Sequence, residues 1–141
     1  MSQEMQTEIW EHCNTVEECY EFMLAYAAKG LPSDQGSTPV SQIREFLQRA
    51  VNAMNGLVED CRIAVKEAGL EPAEKYHAFL TVLDRDASDS LAAIELVLAQ
   101  PSISSQLVDN LNASIHLRAL LTDLFLMGEV LRSRLAVGPV R

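Results

Sequence analysis

Between Val40 and Ala68 the side chains of Ile43, Leu47, Ala50, Met54, Leu57, Cys61, Ala64 and Ala68 are separated by alternating steps of four and three. A helix advances about 100° per residue, so this spacing gathers them into one stripe; on a strand they would scatter over both faces. The pattern runs without exception for more than three heptads. It predicts one long amphipathic helix, 39–68, whose apolar stripe must be covered by other helices.

The rest of the chain supplies them. A helix over 3–29 carries Met5, Ile9, His12, Val16, Cys19, Met23 and Tyr26 at heptad spacing, with Asn14-Thr15 and Glu18 arranged as a capping box that would break it near Asn14. Gly30 and Pro32 end it, residues 30–38 form a linker, and Thr38-Pro39 supply an N-cap and a first helical position. A third helix, 72–99, opens at Glu71-Pro72, aligns Tyr76, Leu80, Leu83, Ala87, Leu91, Ile94 and Leu98, and stops at Gln100-Pro101. A fourth, 102–135, has Leu107, Leu111, Leu121 and Phe125 on one side. Matched helices joined by short connections predict a single all-α domain over 1–141, an antiparallel up-down-up-down four-helix bundle.

Composition narrows the function classes. The net charge of −9 repels phosphate backbones, and the few basic residues form no run, so no nucleic-acid partner is expected. No apolar stretch reaches the length of a membrane span. Cys13, Cys19 and Cys61 are an odd set without a disulfide framework, and the acidic start MSQEMQTEIW is unlike a secretory signal, which points to the cytoplasm. The first 28 residues hold six glutamates and no base, while Arg132, Arg134 and Arg141 close the chain; antiparallel packing would bring these charges to one end.

Four features carry candidate chemistry. Glu74 and His77 form an E-x-x-H pair, the spacing found among di-metal ligands of helical bundles. With the stripe of the third helix centred near Leu80 and Ala87, however, His77 lies roughly 80° and Glu74 roughly 140° away from it. No second E-x-x-H completes such a site, and Glu74 fits better as a helix-start acid. In the first helix His12, with Glu8 one turn before it, falls among Cys19, Met23 and Tyr26, donors that suit a metal or haem, although no zinc or haem-attachment spacing is present.

Arg118, one turn after Ser114, is expected to project toward the apolar side of the fourth helix, to pair with an acid such as Asp84 or to meet an anionic ligand. The segment ALLTDLFLMGEVL is apolar around most of the helix, so Leu120, Leu124, Met127 and Leu131 are candidates for an interface with a second copy. No catalytic constellation is recognised and no cofactor is predicted. The leading expectation is a non-enzymatic regulator, adaptor or assembly factor acting through protein contacts as a homodimer. The alternative is a bundle that binds a small molecule, haem or metal among His12, Cys19, Met23, Tyr26 and Arg118.

Overall fold

The computed structural model describes residues 3–35 and 42–135 and is all-α, with six helices and no strand among them. They are α1 (Gln3–Ala28), α2 (Gln42–Met54), α3 (Leu57–Ala68), α4 (Ala73–Leu98), α5 (Ser105–Ala113) and α6 (His116–Leu135). The N-cap expected at Thr38-Pro39 and the last basic residue, Arg141, lie outside the described residues. No helix among the described residues is long and apolar enough to cross a membrane.

Two of the expected helices are each divided in two. The helix expected over 39–68 breaks at Asn55-Gly56, where Gly56 takes a left-handed φ of 85°. Glycine adopts that conformation without the clash that a Cβ would bring. Met54, Leu57 and Cys61 are all buried across the break, so the four-three stripe passes through it unchanged. The helix expected over 102–135 breaks at Ser114-Ile115, where Ile115 has φ of 61°. Conversely, α1 does not break at Asn14. Thr15 Oγ1 donates to the Glu11 carbonyl 3.0 Å away, one turn back, so its hydroxyl serves the helix it was expected to interrupt.

The ring of Phe22 near the end of α1 stacks on that of Phe46 near the start of α2, with centroids 4.1 Å apart. Trp10 near the start of α1 meets Gly128 near the end of α6. α1 packs against α2, α3, α5 and α6, and α4 packs against the same four. Val16, Cys19, Met23, Leu47, Leu57, Leu83, Ile94 and Leu120 fill the interior between them.

One end of the molecule is tied by polar contacts between residues 26–35 and 98–105. The Asp34 carboxylate, buried, accepts from Arg44 Nε at 2.8 Å and from the Ile103 amide at 2.7 Å. Arg44 also donates to the carbonyls of Leu98 (3.1 Å) and Gln100 (2.7 Å), beyond which α4 cannot use them. Tyr26 donates its phenol proton to the Ile103 carbonyl at 2.7 Å, and the Ser105 hydroxyl donates to the Tyr26 carbonyl at 2.6 Å. Leu31 and Ser105 close a reciprocal pair, amide to hydroxyl and amide to carbonyl. These contacts satisfy backbone groups that loops would otherwise leave unpaired in a buried place.

Candidate functional site

At the opposite end the start of α1, α3 and the end of α6 enclose a cavity of about 220 Å³. Ile9 and Cys13 from α1, Cys61 from α3, and Leu124, Met127 and Leu131 from α6 give it apolar walls, and all six are buried. Gln6, Trp10 and Arg132 are the more exposed members of its lining.

Trp10 holds its place because Gly128 has no side chain. A Cβ there would stand 3.1 Å from Trp10 Cη2, closer than ordinary contact. One turn further along α6, the Arg132 guanidinium lies over the indole, 4.6 Å from its ring centroid, a cation-π arrangement. Arg132 Nη1 also donates to Glu129 at 2.8 Å, both side chains being largely exposed. Arg132 is thus held by its own helix and by an aromatic face, while Arg134 donates to the Glu71 carbonyl at 3.4 Å.

The two thiols of the cavity are not poised as nucleophiles. Burial first, then repulsion from Glu17, pushes Cys13 up to about 11; burial first, then Cys13 and Asp60, pushes Cys61 up to about 12. Both are protonated at neutral pH, so they line the space as small, weakly polar groups.

Next to them, on the outer side of the α1–α3 seam, Glu8, His12 and Asp60 bring one donor atom each within 4.8 Å of one another. His12 Nε2 is 3.8 Å from Glu8 Oε1. One imidazole nitrogen and two carboxylates form a donor set compatible with a divalent cation, although all three side chains are at least partly exposed.

A second titratable pair joins α4 to α6. Burial, followed by hydrogen bonding to and repulsion from Asp86, raises Asp123 to about 7. Asp123 Oδ2 is closed off from solvent and makes no hydrogen bond as it stands, so Asp86 is the group to which a proton on Asp123 would donate. Neither carboxyl lines the cavity.

The site residues expected from sequence are not brought together. Cys19 and Met23 are fully buried core residues, and burial raises the Cys19 thiol to about 11. Tyr26 is committed to the Ile103 carbonyl; burial first, then repulsion from Asp34, raises its pKa. His12 faces Glu8 and Asp60 rather than the interior. Arg118 is exposed, contrary to its expected apolar orientation, because the break at Ile115 resets the phase of the helix and turns Leu117, Leu120, Leu121 and Leu124 inward instead. Glu74 and His77 stand exposed on α4, outside the Glu8–His12–Asp60 group.

The expected interface also requires correction. Leu120, Leu124, Met127 and Leu131 are buried within the chain's own core, so they offer no surface to a second copy. The outer apolar residues of α6 are Phe125 and Leu126, 50% and 53% exposed.

The sequence reading missed Trp10, Cys61 and Arg132 as neighbours. Trp10 falls one position beside the four-three stripe of α1, and nothing local marks its partner Gly128 at the far end of the chain. The one available signal was a glycine inside a strongly apolar helical run, where glycine is otherwise unfavourable and implies close approach.

No protein-family model matches the chain, and no curated protein or solved structure matches it either.

Proposed function

We propose that this protein is a small-molecule-binding helical bundle, its ligand lodged between the start of α1 and the end of α6. The observation that carries the reading is the cavity of about 220 Å³ with its apolar walls and polar rim. An apolar cavity of about 150 Å³ accommodates benzene, so this one has room for a ligand of roughly ten heavy atoms. We further read the six helices as four rods, α2 with α3 and α5 with α6 each acting as one, in an up-down-up-down bundle. The antiparallel meeting of α1 with α2 and α6 supports that arrangement. Three free, buried thiols fit a reducing compartment such as the cytoplasm.

Thermal unfolding with 1-octanol, a neutral probe of suitable size, tests the reading. A ligand of the folded state raises the midpoint by mass action, with about 2.7 kcal/mol of stabilisation at a hundredfold excess over Kd. Cys61→Met, which extends a side chain into the cavity, abolishes that shift. A midpoint that does not respond to the probe in either protein sinks the reading.

A second reading, a regulator, adaptor or assembly factor working as a homodimer, is favoured by a different observation. Beside the half-exposed Phe125 and Leu126, a groove between α4 and α6 is lined by Tyr76, Phe79, Leu126 and Val130. A second copy seated there would cover these apolar side chains. Sedimentation of the wild type and of Leu126→Glu distinguishes the cases: a concentration-dependent dimer lost in the variant supports it, and a monomer at all concentrations removes it.

A further inference from the structure

We infer that the ligand of the α1–α6 cavity is a small amphiphile with a carboxylate head, which pairs with Arg132 while its apolar body lies among Ile9, Leu124 and Leu131. This rests on the ligand-binding reading of the cavity and specifies its chemistry. The charge of the lining is the first argument. In a chain of net charge −9, the cavity is lined by one basic side chain and no acidic one. Both of its thiols stay protonated at neutral pH, so they add no negative charge to oppose an anion.

The second argument is the unused capacity of Arg132. A guanidinium offers five N–H donors in a planar fork suited to a carboxylate. Only Nη1 is engaged, by Glu129; among the described residues the other donors have no acceptor. Glu129 is 73% exposed, so water screens its claim on the charge. Stacking on Trp10 holds the fork at the cavity, and Gln6 adds a neutral donor to the same lining.

Size and shape supply the third argument. The volume of about 220 Å³ admits a medium-length alkyl chain or a single aromatic ring with its head, but not a long acyl chain or a haem. An apolar body buried at one end and a charged head at the other matches a lining that is buried at Leu124 and Leu131 and exposed at Arg132.

The test compares octanoate with 1-octanol, which share a body and differ in the head, by calorimetry and by the emission of Trp10, the chain's only tryptophan. Octanoate affinity falls about tenfold in Arg132→Gln, the scale of one charge-assisted pair at a partly exposed place, while 1-octanol affinity, which involves no charge pair, falls far less. Arg132→Lys recovers part of the octanoate affinity. Binding of both probes with no response of octanoate to Arg132→Gln overturns the carboxylate assignment and leaves the cavity reading standing. Absence of binding by both probes to the wild type overturns the two together.

Discussion

The Arg44 guanidinium reaches the buried Asp34 carboxylate at 2.8 Å, but the two partners are not equally dependent on the contact. The Asp34 side chain is 3% exposed and that of Arg44 is 31% exposed. Arg44 also serves the Leu98 and Gln100 carbonyls. Removing Arg44 therefore takes the guanidinium away from a carboxylate in a dry place and the donors away from two carbonyls. Removing Asp34 leaves a guanidinium that water can still reach.

Arg44→Ala should accordingly destabilise by about 3 kcal/mol, the scale for removing one member of a buried ion pair. Asp34→Ala should cost less, about 1–3 kcal/mol, chiefly for the lost acceptor of the Ile103 amide. Urea titrations of both variants check the order. Equal losses, or a larger one in Asp34→Ala, would contradict the asymmetry.

The carboxyl of Asp123 gives a pH dependence of known sign. Its pKa is 3.8 in the reference state and about 7 in the fold. The folded protein thus holds this proton more tightly than the unfolded chain. The resulting stability is fully present below about pH 3.8 and is lost progressively as pH rises to about 7. Asp123→Asn keeps a neutral side chain beside Asp86, so its stability relative to wild type should grow between those two values and level off above them. Melting temperatures of the pair from pH 4 to 8 measure the difference, in which titrations remote from the Asp86–Asp123 pair cancel. A constant offset would show that Asp123 titrates normally.

The fold was legible where one short rule decides the outcome. Stripes at four-three spacing placed most of the core in α1 through α4 because burial depends on helical phase, and Ile43, Leu47, Leu57, Leu80, Leu83 and Ile94 are buried as that phase requires. The same rule hid the break at Gly56, since the phase is kept across it. Beyond the left-handed Ile115 it failed for Arg118 and Phe125, which face solvent, although Leu121 is buried as expected. The cavity was not legible, because it depends on Trp10 meeting Gly128 across the bundle. Asp34 lay in what read as a linker, and only the folded chain brings Arg44 and Ile103 to it.

Gly128→Ala separates the helical preference of the residue from its role at the cavity. Alanine favours the helix by about 0.8–1.0 kcal/mol over glycine. The added Cβ would stand 3.1 Å from the indole, which is 37% exposed and can give way. The net stability change should therefore stay within about 1 kcal/mol, while Trp10 moves outward and its emission shifts to the red. Unaltered emission would mean that the ring does not rest on this glycine.

The thiols offer a check on the closure of the core. Cys13, Cys19 and Cys61 are buried, with pKa values raised to about 11, 11 and 12. A disulfide reagent at pH 8 should leave the native protein almost unmodified and react with all three in denaturant, since the thiolate is the reacting species. Rapid native labelling of Cys13 or Cys61 would show that the cavity wall is open to a polar reagent.

Ile115 carries a cost that a substitution can recover. A β-branched side chain at φ of 61° crowds its own backbone, a strain of about 1–2 kcal/mol. Little apolar burial opposes replacement, because the residue is 59% exposed. Asparagine tolerates the left-handed region through its short polar side chain and loses less backbone freedom on folding than glycine does. Ile115→Asn should stabilise the protein by about 1 kcal/mol, Ile115→Gly by less, and Ile115→Val not at all, because valine keeps the branch that causes the strain. Chemical denaturation of the three variants decides it. A loss in Ile115→Asn as large as that in a core truncation would show that the isoleucine holds the α5–α6 corner by packing, not merely by occupying it.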